Sequence, residues 1–137
     1  MERSGTSMRV SKQFTFDEDE VREWCDNAGD SNDIHLNEDA LSDNPFFDER
    51  VVPGMLLLDK VSGLITQWSE TQDGDGTPVI SRMSNIVFHE PVYFDEEIQV
   101  AIEQEDAEET MRILRFEVTD SVAADPRTQG YVTVHLL

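Results

Sequence analysis

Cysteine, lysine and long apolar runs are what this chain has least of, and each scarcity excludes something. A single cysteine, Cys25, cannot close an internal disulfide or build a zinc cage. Its neighbours Glu23, Asp26 and Asp30 disfavour a thiolate, so a nucleophilic role is not expected either. No stretch approaches the roughly 18 apolar residues that span a bilayer. Residues 1–12 lack the apolar core of a signal peptide and read as a polar tail ahead of one domain over residues 13–137. With no sign of disulfides or export, a cytoplasmic location is expected. Lysine occurs only as Lys12 and Lys60, and ten basic residues face thirty acidic ones, for a net charge of −20. Nucleic acid and anionic membranes both require basic surface, so neither is an expected partner.

The acidic residues are spread along the chain rather than gathered in a tail. Such a surface repels itself at low ionic strength. In molar salt the screening length falls to about 3 Å and most of that penalty disappears. Acid-rich, lysine-poor composition of this kind resembles that of proteins from halophiles that accumulate salt.

Hydrophobic residues make up 38% of the 137 residues, enough for one domain with a real core. Phe14-Thr15-Phe16 alternates like a short strand. Asp17, followed three residues later by Glu20, resembles a helix-capping pair. Val21, Trp24, Cys25 and Ala28 then recur at helical spacing, and Gly29 is placed to end that helix. Asp30 to His35 reads as a loop rich in Asx residues, with a short helix near Asn37 to Ser42. From Met55 to Trp68 the pattern is apolar on nearly every side, which predicts a buried helix with Pro53 near its first turn. Asp73-Gly74-Asp75-Gly76 predicts a turn; a calcium loop would need a glutamate where Ser84 stands. Thereafter the period becomes two, giving strands over residues 79–89, 97–105, 110–120 and 128–137. A helix followed by consecutive antiparallel strands predicts an α+β fold, a sheet curled round a long central helix.

Two features carry chemistry. Gly29-Asp30-Ser31-Asn32-Asp33-Ile34-His35 places a carboxylate and an imidazole five residues apart in a loop whose residue types allow it to fold back. Read alone, that pair fits an ordinary Asx-turn with a capping histidine better than a water-activating dyad. Val51-Val52-Pro53-Gly54-Met55 then leads into the apolar helix, so the Gly54 N–H has no helical acceptor and is free for a developing oxyanion. His89 and His135 lie in strands and are expected to be packed or superficial. Phe46, Phe47 and Trp68 suit a core or an apolar pocket wall.

Taken in order, these segments resemble the MaoC-like dehydratases, which include the (R)-specific enoyl-CoA hydratases. The matching residues are Gly29-Asp30-Ser31-Asn32, Ile34-His35, Val52, Gly54-Met55 and Ser62-Gly63, followed by Phe88-His89-Glu90-Pro91-Val92 and Phe94-Asp95. The chain departs from the family pattern at Asp33, where a proline is usual, and at Pro53, where a histidine is usual. The resemblance implies a single hotdog fold and a homodimer. It also implies a hydro-lyase acting on 2-enoyl-CoA with no cofactor beyond the coenzyme A of the substrate, and no metal. Asp30 and His35 would activate water, Gly54 N–H would hold the thioester oxygen, and Asn32 and Ser62 would support them. Arg50, Arg82 or Arg112 would offset the coenzyme's phosphates. Asp59 is a competing catalytic acid, because Val52-Pro53-Gly54-Met55-Leu56 also resembles the motif of hotdog acyl-carrier dehydratases, and hotdog thioesterases use an acid on this helix. Otherwise Asp59 faces solvent or a subunit seam and pairs with an arginine or Lys60. A non-catalytic acyl-thioester-binding subunit is the third reading.

Overall fold

A computed structural model describes residues 9–72, 76–120 and 125–137. Strand β1 (Arg9–Phe14) is followed by helices α1 (Glu18–Ala28), α2 (Asp33–Leu36) and α3 (Gly54–Ser69), with a 3₁₀ turn at Glu38–Leu41. Strands β2 (Pro78–Phe88), β3 (Ile98–Glu108), β4 (Met111–Asp120) and β5 (Thr128–Leu136) complete one antiparallel sheet in the order β1-β3-β4-β5-β2. This is the expected α+β hotdog, a sheet wrapped on a long helix. Two expectations shift, and a third is not tested. The first strand begins by Arg9, inside the segment read as a tail, because Arg9 to Phe14 pair residue for residue with Glu103 to Ile98. A strand in the ladder satisfies its backbone, which a free tail would leave to water. The segment read as an open loop contains the single turn α2, capped by Asn32. The turn expected at Asp73-Gly74-Asp75 lies outside the described residues.

Local chemistry accounts for the element ends. Asp17 accepts the Glu20 amide at 2.8 Å and caps α1, whose three first-turn acids also suit the positive end of the helix dipole. Gly29, at φ 72°, closes the helix in a left-handed conformation that costs glycine little. Asn85, at φ 52°, occupies the register shift between Ser84 and Val87 in the β2–β5 ladder. A bulge there lets β2 bend round the helix.

The core lies between α3 and the concave face of the sheet. Leu56, Leu57, Val61, Leu64, Ile65 and Trp68 meet Ile98, Val100, Ile102, Leu114, Phe116, Val118, Val132 and Val134. Burying each of these side chains contributes about 1.5–3 kcal/mol. Helix α3 is not apolar all round, however. Met55, Asp59, Ser62, Gly63, Thr66 and Gln67 form an exposed stripe along it. The adjacent large side chains Leu56, Leu57 and Leu58 suggest a full apolar girdle, yet Met55 is the one large apolar residue on the stripe. No helix among the described residues is long and apolar enough to cross a membrane.

Candidate active site

The polypeptide between α1 and α3 is held by backbone bonds that the sequence pattern does not show. Leaving Gly29, the chain turns back and the Asp30 amide bonds the Cys25 carbonyl at 2.9 Å. The Asp30 carboxylate accepts the Asn32 amide at 3.0 Å, and the Asn32 side chain accepts the Ile34 amide at 3.2 Å. These two consecutive Asx turns aim His35 inward. Beyond the 3₁₀ turn the chain returns as Val51-Val52. The Val51 amide bonds the Ile34 carbonyl at 2.9 Å, the Val52 amide bonds the Val92 carbonyl at 2.8 Å, and Val51 bridges Tyr93. Arg50 fixes the same segment from outside, pairing with Glu18 at 2.6 Å and lying 4.6 Å over the Phe94 ring. The Glu18 carboxyl is held below the usual carboxylate range, first by its hydrogen bond to Arg50 and then by Arg22.

His35 is buried, and its Nδ1 lies 2.7 Å from the Val51 carbonyl oxygen. A carbonyl only accepts, so Nδ1 carries the proton and, in the neutral ring, Nε2 presents a lone pair. That Nε2 faces Asp30 Oδ2 at 3.8 Å. The separation is too long for a direct hydrogen bond. It suits one water molecule that donates a proton to each acceptor and keeps its own lone pairs outward.

Asp30 and His35 line a cavity of about 640 Å³ together with Val52, Pro53, Gly54 and Met55 at the start of α3. Its walls are mostly apolar: Trp24, Ile34, Phe46, Phe47, Leu57, Phe88, Pro91 and Val92. The Gly54 amide belongs to the first turn of the sixteen-residue helix α3, which begins without a side-chain cap. Helix geometry provides no carbonyl for that amide. A Cβ built on Gly54 would stand 2.6 Å from Phe88 Cε1, so the ring packs directly on the glycine. Only glycine allows so close an approach.

Thus Asp30, His35 and Gly54 share one cavity, whereas Asn32 is exposed, does not line it and acts only as the cap of the turn that carries His35. Ser62 is exposed on α3 and does not line it. Asp59 borders a separate, smaller cleft with Lys12 and Lys60. Its carboxylate accepts the Trp24 indole N–H at 2.5 Å, a partner other than the arginine or Lys60 expected, while Lys60 pairs with Glu20 at 2.8 Å. Arg112 bonds the carbonyls of Glu109 and Met111, and Arg82 is exposed on β2. Cys25 is buried, and its thiol is pushed above the ordinary value by burial first and by Asp30 and Asp26 next. Among the described residues no cluster of His, Cys, Asp or Glu suits a metal ion.

Among the cavity residues that a reading of the sequence does not single out, three are instructive. His89, expected to be packed or superficial, lines the cavity just beyond the end of β2. Trp24 reads as one more apolar position on α1, although it forms wall. Thr128 is the third, and alternation along β5 could have revealed it, since it shares the inward face with Gly130, Val132 and Val134.

A family model described as MaoC like domain matches residues 2–125. Comparison with curated proteins gives no match. Among solved structures, the fold is similar to the (R)-hydratase from A. caviae involved in PHA biosynthesis, with a TM-score of 0.84 and 21% identity, covering 97% of each chain. A protein from Archaeoglobus fulgidus gives a TM-score of 0.83 at 22% identity, covering 100% of this chain and 81% of that one. The HadBC (3R)-hydroxyacyl-ACP dehydratase complex from Mycobacterium tuberculosis gives 0.77 at 16% identity, covering 93% and 95%.

Proposed function

The chain belongs to the MaoC-like domain family, and we propose that it is a hydro-lyase that adds water to trans-2-enoyl-CoA to give (R)-3-hydroxyacyl-CoA, or runs the reverse dehydration. The observation that carries this reading is the facing pair of acceptors, His35 Nε2 and Asp30 Oδ2, 3.8 Å apart beside the first free amide of α3. A water held between them gives one proton to the dyad as its oxygen bonds to C3. The C2–C3 π pair moves to C2, negative charge builds on the thioester oxygen, and the Gly54 N–H donates a hydrogen bond to that oxygen. The dyad then returns a proton to C2, so the sum is substrate plus water. General acid–base catalysis of this kind contributes ~10²–10⁴ in rate. No cofactor enters beyond the coenzyme A of the substrate.

The second subunit is part of the proposal. Val79, Ile80, Met83, Val87 and Phe88 on edge strand β2 are each more than a third exposed. A bare apolar edge invites strand pairing, and a second copy continuing the sheet through β2 would cover it and bring another subunit beside Phe88 and His89. A thioesterase centred on Asp59 fits less well, because that carboxylate is bound to Trp24 outside the cavity.

The test is loss of conjugated-thioester absorbance with crotonyl-CoA in molar salt, with a thiol reagent in parallel and sedimentation to give the mass. Hydration without thiol release is expected, from a dimer. Asp30→Asn and His35→Ala should each lose ~10²–10⁴ of the activity with unchanged circular dichroism. Thiol release abolished by Asp59→Asn would instead establish the thioesterase. Full turnover in both dyad variants would remove the basis for hydration.

A further inference from the structure

Among the described residues, two buried side-chain polar atoms have no hydrogen-bond partner, Trp68 Nε1 and Thr128 Oγ1. Trp68 lies in the core between α3 and the sheet. Thr128 lines the cavity that holds Asp30, His35 and Gly54. We propose that the Thr128 hydroxyl is a second hydrogen-bond donor to the thioester oxygen, working beside the Gly54 N–H; the inference rests on the hydration reading above.

Register places the hydroxyl there. Thr128 opens β5 and lies directly opposite Phe88 in the β2–β5 ladder. Directly opposed residues of an antiparallel pair project to the same face with Cβ atoms about 5 Å apart. The Phe88 ring in turn packs on Gly54, within 2.6–3.0 Å of where a Cβ would be. Thr128, the ring and the helix amide therefore adjoin on one wall. Phe88 is 49% exposed, so its ring has room to swing outward when a ligand takes its place against both donors.

Packing alone does not account for a hydroxyl at this position. The same inward face of β5 presents Val132 and Val134, both fully buried, and valine has nearly the shape of threonine. A buried hydroxyl without a partner costs free energy that a methyl group does not. The cost is recovered if a ligand supplies the acceptor. An enolate oxygen is the strongest acceptor formed in this cavity, and two preorganised donors stabilise it better than one.

The experiment compares wild type, Thr128→Val and Thr128→Ser in crotonyl-CoA hydration, together with the carbonyl stretch of crotonyl-CoA bound to Asp30→Asn and to Asp30→Asn/Thr128→Val. Thr128→Val should melt no lower than wild type and lose about tenfold or more in kcat, with KM within about threefold. Thr128→Ser should restore turnover to within about threefold of wild type, since it keeps the donor. The carbonyl stretch should lie at lower frequency in Asp30→Asn than in the double variant. An unchanged kcat in Thr128→Val, or identical carbonyl frequencies, overturns the proposal, as would impairment confined to substrates with polar groups farther along the acyl chain. If wild type hydrates nothing, the functional reading fails by itself. The carbonyl comparison still decides whether Thr128 donates to a bound thioester.

Discussion

Replacing Gly54 by alanine should separate catalysis from stability. Gly54 is not in the left-handed region, so alanine is sterically acceptable to its backbone, and lost freedom in the unfolded chain favours the variant by about 0.4–1 kcal/mol. Against this, the new methyl meets Phe88 ring atoms at 2.6, 2.9 and 3.0 Å. Overpacking typically costs about 1–3 kcal/mol, and the ring, 49% exposed, can yield at the lower end of that range. The net loss is about 0–2 kcal/mol, a fall in Tm of less than about 10 °C for a domain of this size. Activity should suffer more, because a methyl beside the amide keeps the thioester oxygen away. Loss of an oxyanion donor costs ~10²–10³ in kcat. Gly63→Ala is the control: its Cβ would meet nothing within 4 Å, so it should gain about 0.5–1 kcal/mol from helix propensity and retain activity. The assay is a thermal melt followed by circular dichroism, with crotonyl-CoA kinetics on the same samples. Activity of Gly54→Ala within threefold of wild type would refute the oxyanion role. A melt lowered far beyond 10 °C would show that the ring cannot move, and the packing argument would fail.

Three further expectations concern stability. Arg127 ties the start of β5 to Glu96, to Asp120 at 2.9 Å and to the Pro91 carbonyl at 3.1 Å, so Arg127→Met should lower urea-unfolding stability by about 1–3 kcal/mol; no change would mean that solvent screens the network. The Cys25 thiol holds its proton above the ordinary value of 9.0, whereas the unfolded thiol ionises near it, so stability should fall as pH rises past about 9 and Cys25→Ala should flatten that slope. Rapid labelling of native Cys25 by a thiol reagent at neutral pH would contradict its burial. With a net charge of −20, Tm should climb between 0.1 and 1 M salt, as screening shortens from about 10 to about 3 Å; a flat profile would dissociate the charge from stability.

Much of the fold was legible because its signals are local or periodic. The Asp17 cap, the Gly29 stop and the alternation of β3 to β5 each follow from neighbouring residues, and the expected strand ends fall within about three residues of those observed. What failed depended on partners distant in sequence. Strand β1 has little alternation to announce it, since Ser11, Lys12 and Gln13 are all exposed; it exists because β3 offers an edge to pair with. The exposed stripe on α3 was masked because three consecutive leucines occupy successive angles round the helix, and the strands β3 to β5, whose side chains decide which of those angles are inside, begin forty residues beyond them.

The site divides along the same line. Asp30 and His35 could be named from their loop, but the group that orients the imidazole is the Val51 carbonyl, sixteen residues on, and a main-chain carbonyl has no sequence signature. Asp59, where it does not act in catalysis, reads from sequence as an acid facing solvent or a seam and paired with a cation. An indole N–H thirty-five positions earlier satisfies one of its oxygens instead, which makes the carboxylate part of a brace between α1 and α3. Composition therefore identifies reactive groups, whereas backbone acceptors and long-range donors decide which of them face a substrate. By that criterion a dyad variant that keeps the Val51 bond, such as Asp30→Asn, should hold His35 in place and stay folded while losing turnover. The defect then belongs to the water and not to the scaffold.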